Sequence, residues 1–154
     1  MKHVFLAVVF LGVVSSGSAA LPPLSPEELD EYAELVLTGE VLVSRVMIHR
    51  KPSASIYLVR LGVQIDSVEK GEDLLENPNT LEIRCWAMRK TKMVGPSGHL
   101  SIPAEGSKFR TWLRKNTEGQ WEPLEPNGFE LLEGSAPLTF AAAERRERGK
   151  GLLI

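Results

Sequence analysis

Between Tyr57 and Asp66 the chain alternates: Tyr57, Val59, Leu61, Val63 and Ile65 fall on one side, while Arg60, Gln64 and Asp66 fall on the other. Successive side chains of a strand point to opposite faces, so this pattern predicts a strand that buries one face and wets the other. The same grammar returns twice. Leu81, Ile83, Cys85 and Ala87 are expected inward against Glu82, Arg84, Trp86 and Met88. Phe109, Thr111 and Leu113 are expected inward against Lys108, Arg110, Trp112 and Arg114.

The segments between these strands read as turns and shorter strands. Leu35 to Ile48 is rich in aliphatic and β-branched residues around Gly39, and an interior glycine in such a run marks a bend or bulge at a barrel corner. His49 to Ser53 is a polar, proline-marked turn, and Lys70-Gly71 closes the second strand. Glu72 to Asn79 is an acidic connection with room for a helical turn before Pro78. Asn116 to Gly119 reads as a hairpin turn, Gln120 to Leu124 as a short return, and Pro126-Asn127-Gly128 as a turn before Phe129 to Leu132. The expected fold is therefore mainly β: a small five-stranded OB-like barrel over residues 35–133, since an open sheet would leave edges unpaired. A β-sandwich is the alternative. No internal repeat and no βαβ rhythm is visible.

Both flanks of the barrel are predicted helical. In residues 21–34, a stiff Leu21-Pro22-Pro23 leader precedes Ser25-Pro26-Glu27-Glu28, which has the form of a capping box with proline in the first turn. A short acidic helix to about Ala33 follows, lying on the surface or plugging one end of the domain. In the tail, residues 134–154, Ala141 to Arg148 suits a helix stopped at Gly149. So short a helix is marginal alone, which leaves two fates: a frayed tail, or docking of Leu152, Leu153 and Ile154 onto the barrel.

The first twenty residues carry an address. Lys2, the apolar run Val4 to Val14 and the small residues Ser18-Ala19-Ala20 are laid out as a signal peptide over 1–20, with a mature start near Leu21 and an exported product, whether secreted, periplasmic or envelope-associated. The run is shorter than the roughly 20 apolar residues that span a bilayer. Later candidates such as Val41 to Ile48 are short and carry Arg45, so no stable membrane insertion is expected after cleavage. About 130 residues then remain, enough for one core. Loss of Lys2 takes the formal charge of -2 one unit lower, against any general affinity for polyanions. Cys85 is the only cysteine, so the chain holds no intramolecular disulfide, and its inward position predicts a buried thiol.

The strand Tyr57-Leu58-Val59-Arg60-Leu61-Gly62-Val63, running into Val68-Glu69-Lys70-Gly71, resembles the second-strand segment of netrin-like modules and tissue inhibitors of metalloproteinases. Val36 to Val41, and Gly106 followed by Phe109 and Leu113, are similar to other strands of those barrels, so the likeness spans about residues 35–113. It implies an exported single-barrel binding module of OB type. The chain departs from the family in lacking its disulfides and the N-terminal cysteine with which its inhibitors chelate a protease metal, so no inhibitory residue carries over.

Chemistry-bearing residues are sparse. From Arg84 to Lys115 the chain has eight basic side chains against the single acid Glu105. Trp86 and Trp112 share the predicted outer face, and if their strands pair, Arg84, Arg110 and Arg114 stand alongside. Indole and guanidinium groups together suit an anionic or stacked ligand; the alternative is basic stems covering apolar rings. Thr91 to Gly106 is a long loop in which His99 is the one histidine, expected to be solvated. The two histidines left after export, His49 and His99, and a buried cysteine make a poor zinc set, so no metal or cofactor is expected. The residues selected for ligand binding are Trp86, His99, Arg110 and Trp112. The reading is a non-catalytic binding module for a protein or an anionic polymer rather than nucleic acid. A small hydrolase centred on His99 and a structural envelope component are the alternatives.

Overall fold

A computed structural model describes residues 21–90 and 97–150. The predicted export signal and the terminal leucines lie outside these residues, as does the 91–96 part of the His99 loop. The elements in chain order are α1 (Pro26–Tyr32), β1 (Leu35–Lys51), β2 (Ala54–Lys70), β3 (Thr80–Lys90), β4 (Ser97–Gly98), β5 (Lys108–Lys115), β6 (Trp121–Pro123), β7 (Phe129–Leu131) and α2 (Ala141–Lys150), with a 3-10 turn at Glu72–Leu74.

Five strands close a ring. β1 pairs antiparallel with β2, β2 with β3, and β5 with both β6 and β1; β3 meets β6 in parallel at Ile83 and Trp121. This is the OB-like barrel expected from the alternation. β7 continues along β5 past β6, and β4 adds a short rung to β3. Of the residues placed inward by periodicity, Val59, Leu61, Val63, Ile83, Phe109 and Leu113 are all at most 1% exposed. The corner at Gly39 has a direct cause: a β-carbon there would lie 2.5 Å from the Gln64 carbonyl oxygen, closer than packing allows. β1 is irregular on both sides of this glycine, so the strand bends from its β5 partner into the long hairpin with β2.

That hairpin is what sets the barrel's outer surface. β1 and β2 are each 17 residues long, and the Pro52-Ser53 turn pairs Lys51 with Ala54. The register then runs Met47 to Leu58 and Arg45 to Arg60, and β3 extends both rungs with Trp86 and Arg84.

The helices meet the barrel at different places. In α1 the Ser25 hydroxyl accepts the Glu28 N–H at 3.2 Å and the Glu28 carboxylate accepts the Ser25 N–H at 2.8 Å, the predicted capping box. The helix lays Leu29 and Ala33 over Val36, Trp112 and Leu124, and Asp30 accepts the Trp112 indole N–H at 2.7 Å. At the other end the chain meets the core just ahead of α2. The contact comes from Leu138 and Phe140 against the core, with the Phe140 ring stacked 4.1 Å from that of Tyr57. The Tyr57 hydroxyl donates to Glu144 of α2. Among the described residues no helix is long and apolar enough to cross a membrane.

Candidate ligand-binding face

The four residues selected from sequence fall into two separate places. β6 stands between β3 and β5, so Trp86 and Trp112 are not on paired strands and do not form the expected platform. Trp112 is 5% exposed beneath α1. Arg110 lies over the Trp112 ring at 4.5 Å and binds Glu69 through two hydrogen bonds, of 2.9 and 2.6 Å. Those bonds raise the guanidinium pKa above its ordinary value, and they leave its charge paired. Arg110 and Trp112 thus fasten α1 and β2 to β5.

Trp86 and His99 come together. His99 is 4% exposed, which corrects the expectation of a solvated loop residue. The short β4 rung carries it back onto β3, where its backbone N–H donates to the Trp86 carbonyl at 2.8 Å. Its Nδ1 lies 3.1 Å from the Trp86 amide and Nε2 lies 2.9 Å from the Pro123 carbonyl, so a ring carrying its proton on Nε2 satisfies both. Neither nitrogen is left over for a substrate. The imidazole stands edge-on to the Trp86 ring, with centroids 6.3 Å apart, and the indole N–H donates to Glu125. His99 is therefore a bracket that fixes a half-buried indole in place.

What surrounds Trp86 on the outer face was only partly visible in the sequence. Arg45 of β1, Arg60 of β2 and Arg84 of β3 occupy one cross-strand rung, and Met47, Leu58 and Trp86 occupy the next rung on the same face. Directly paired residues stand about 4.5–5.5 Å apart between β-carbons, and like charges so placed repel. Arg84 is relieved by Glu82, whose carboxylate lies 3.1 Å from its Nε. Among the described residues, no carboxylate lies within 4.0 Å of Arg45 or Arg60, and both are exposed. Met47 and Leu58 are 56% and 42% exposed beside them. A groove of about 430 Å³ runs over both rungs, with Glu122 of β6 at its side and the buried Cys85 in its lining.

No protein-family model, no curated protein and no solved structure matches this chain. The site must be read from its own chemistry. Three guanidiniums on one rung, with the Trp86 indole and the apolar Met47 and Leu58 on the next, have the chemistry to suit groups that are anionic, flat or both. Among the described residues no cluster of three histidine, cysteine, aspartate or glutamate side chains is placed to hold a metal ion.

Arg45 and Arg60 were the residues missed. The signal was present in the hairpin itself: a two-residue turn at Pro52-Ser53 fixes a register in which paired positions sum to 105, and 45 and 60 are such a pair. Alternation alone turns Arg60 outward, whereas its neighbour Arg45 follows only from the hairpin register.

Proposed function

We propose that the chain is an exported binding module whose outer β1–β2–β3 face takes an acidic polysaccharide, one bearing sulfate or uronic-acid groups. The observation that carries this reading is the Arg45–Arg60–Arg84 rung, two members of which have no acid partner among the described residues. A repulsive rung costs stability in the free protein, and an anionic ligand laid across it removes that cost.

Several features support a sugar chain over other polyanions. The strand 2–3 face of OB barrels in general takes oligonucleotides or oligosaccharides. A nucleic acid strand calls for a row of aromatic rings on which successive bases stack, whereas this face offers the single indole of Trp86. Export, and kinship with the netrin-like modules, belong to the same proposal. They rest on the layout of Lys2, Val4 to Val14 and Ser18-Ala19-Ala20, and on the Tyr57 to Val63 resemblance.

The test is calorimetric titration with a sulfated oligosaccharide, its desulfated counterpart and a single-stranded oligonucleotide. Arg45→Gln with Arg60→Gln is expected to weaken sulfated-sugar binding by roughly a hundredfold, about one charge-assisted hydrogen bond per arginine. Binding that weakens with salt but is absent for the desulfated sugar is the expected pattern. Equal affinity of the double variant and the parent chain, or preference for the oligonucleotide, overturns the reading.

A further inference from the structure

The opposite face of the hairpin carries a second basic rung. Arg50, Ser55 and Arg89 are paired across β1, β2 and β3, one rung beyond Ile48, Tyr57 and Ala87. With Lys51 and Pro52 at the turn, Ala54 and Tyr57, they line a cleft of about 330 Å³ into which α2 contributes Glu144. The Glu144 carboxylate is the acceptor for the Tyr57 hydroxyl. That hydrogen bond first, and then the charges of Arg89, Arg50 and Arg148, hold its pKa below the ordinary carboxylate value. One carboxylate of the chain's own C-terminal helix therefore sits where two guanidiniums, a serine hydroxyl and a phenol converge.

The helix that brings it has little apolar surface to bury. α2 reads AAAERRERGK, polar on every side beyond its alanines, and offers the barrel no large apolar side chain of its own. A second gap, of about 700 Å³, separates Ala142, Ala143 and Arg146 from β1. The firm apolar contact lies just before the helix, in the stacking of Phe140 on Tyr57. Glu144 is a polar tether of α2 among the described residues, and the groups it uses are those that bind oxyanions.

We infer that the Arg50–Ser55–Tyr57–Arg89 cleft is an oxyanion site, for sulfate, phosphate or a carboxylate, and that Glu144 is its built-in competitor. An anion entering the cleft takes the hydrogen bond of the Tyr57 hydroxyl and the field of both arginines, and Glu144 leaves with α2. The site uses none of the residues of the Arg45–Arg60–Arg84 face and stands or falls apart from it.

Nuclear magnetic resonance of the full chain tests this, with sodium sulfate replacing chloride at constant ionic strength and a sulfated oligosaccharide as the second arm. Sulfate is expected to shift Arg50, Tyr57 and Arg89 signals and to speed amide exchange in α2. Glu144→Gln is expected to tighten binding roughly tenfold, the value of one charge-assisted hydrogen bond no longer competed for, and Arg89→Gln to abolish it. A response to inorganic sulfate supports a site for free oxyanions. A response to the oligosaccharide alone supports a site for a charged group on a polymer. Should Glu144→Gln bind neither ligand, or bind no tighter than the parent chain, the inference is wrong. Because the cleft belongs to the barrel, complete undocking of α2 in that variant leaves the test intact.

Discussion

The indole of Trp86 lies against the bare α-carbon of Gly98. A β-carbon at Gly98 would fall 2.9 Å from the ring atom Cε3 and 2.6 Å from the Trp86 carbonyl oxygen, and the residue holds φ at +92°. Only glycine meets both demands, so the loop returning to β3 closes over the tryptophan as one wall of its seat.

Gly98→Ala is therefore expected to cost about 1–3 kcal/mol from backbone strain alone and to displace the indole as well. Gly106 is the control, because it too has positive φ, +77°, but nothing lies within 4 Å of its would-be β-carbon. Urea denaturation should show Gly98→Ala losing more stability than Gly106→Ala, and tryptophan fluorescence should shift only in the former. Equal losses would mean that the contact with Trp86 contributes nothing.

His99 is the other wall. Removing its ring strands the Trp86 amide and the Pro123 carbonyl, both of which it now engages within 3.1 Å. A buried polar group left without a partner costs about 1–3 kcal/mol, so with two such groups His99→Ala should lower the urea midpoint by the equivalent of about 2–6 kcal/mol, with an unchanged slope. If His99 instead served a reaction, the variant would keep its stability.

The difference between what could and could not be read from the sequence follows from the range of the forces involved. Period-two alternation is local, and Val59, Leu61, Ile83 and Leu113 went to the core where it placed them. Caps and turns are local too, which is why Ser25 and Glu28, and the Asn116 to Gly119 turn, were legible. Trp112 shares the outward parity of Arg110 and Arg114, yet parity says nothing about a helix arriving from residues 26–32 to cover it. The position of His99 likewise depends on the two-residue β4, whose pairing with Ala87 and Met88 is tertiary and leaves no periodic trace in Ser97-Gly98. The partners Asp30, Glu69 and Glu125 lie 39 to 82 residues away in the chain from the side chains they hold.

Cys85 illustrates a local reading with a chemical consequence. Its thiol is buried in the barrel core, and burial, reinforced by the negative charge of Glu122, raises its pKa above the ordinary value. The thiolate is the reactive form. Native protein should therefore resist an aromatic disulfide reagent at mildly alkaline pH, and release the full thiol signal on addition of denaturant. Prompt reaction of the native chain would place Cys85 in contact with solvent through the groove above it.

The pairing of Tyr57 with Glu144 makes the docking of α2 depend on pH from both sides. Glu144 has its folded-state pKa lowered from 4.5, chiefly by the hydrogen bond from Tyr57, so its contribution is complete above the unfolded value and is lost as pH falls through the folded one. Tyr57 has its folded-state pKa raised from 10.0, first by burial and then by the hydrogen bond and charge of Glu144; its contribution is complete below the unfolded value and is lost as pH rises through the folded one. Protection of the α2 amides, their exchange taken relative to an unstructured chain at the same pH, should be greatest between these limits and should fall toward acid, where the protonated carboxyl no longer answers Arg89 and Arg50. Glu144→Gln removes the acid limb and brings the Tyr57 phenol partway back toward its ordinary value, because burial remains. Tyrosinate absorbance and α2 exchange, followed across the same pH series in both chains, read the two limbs separately. An acid limb that survives the substitution would assign it to a group other than Glu144.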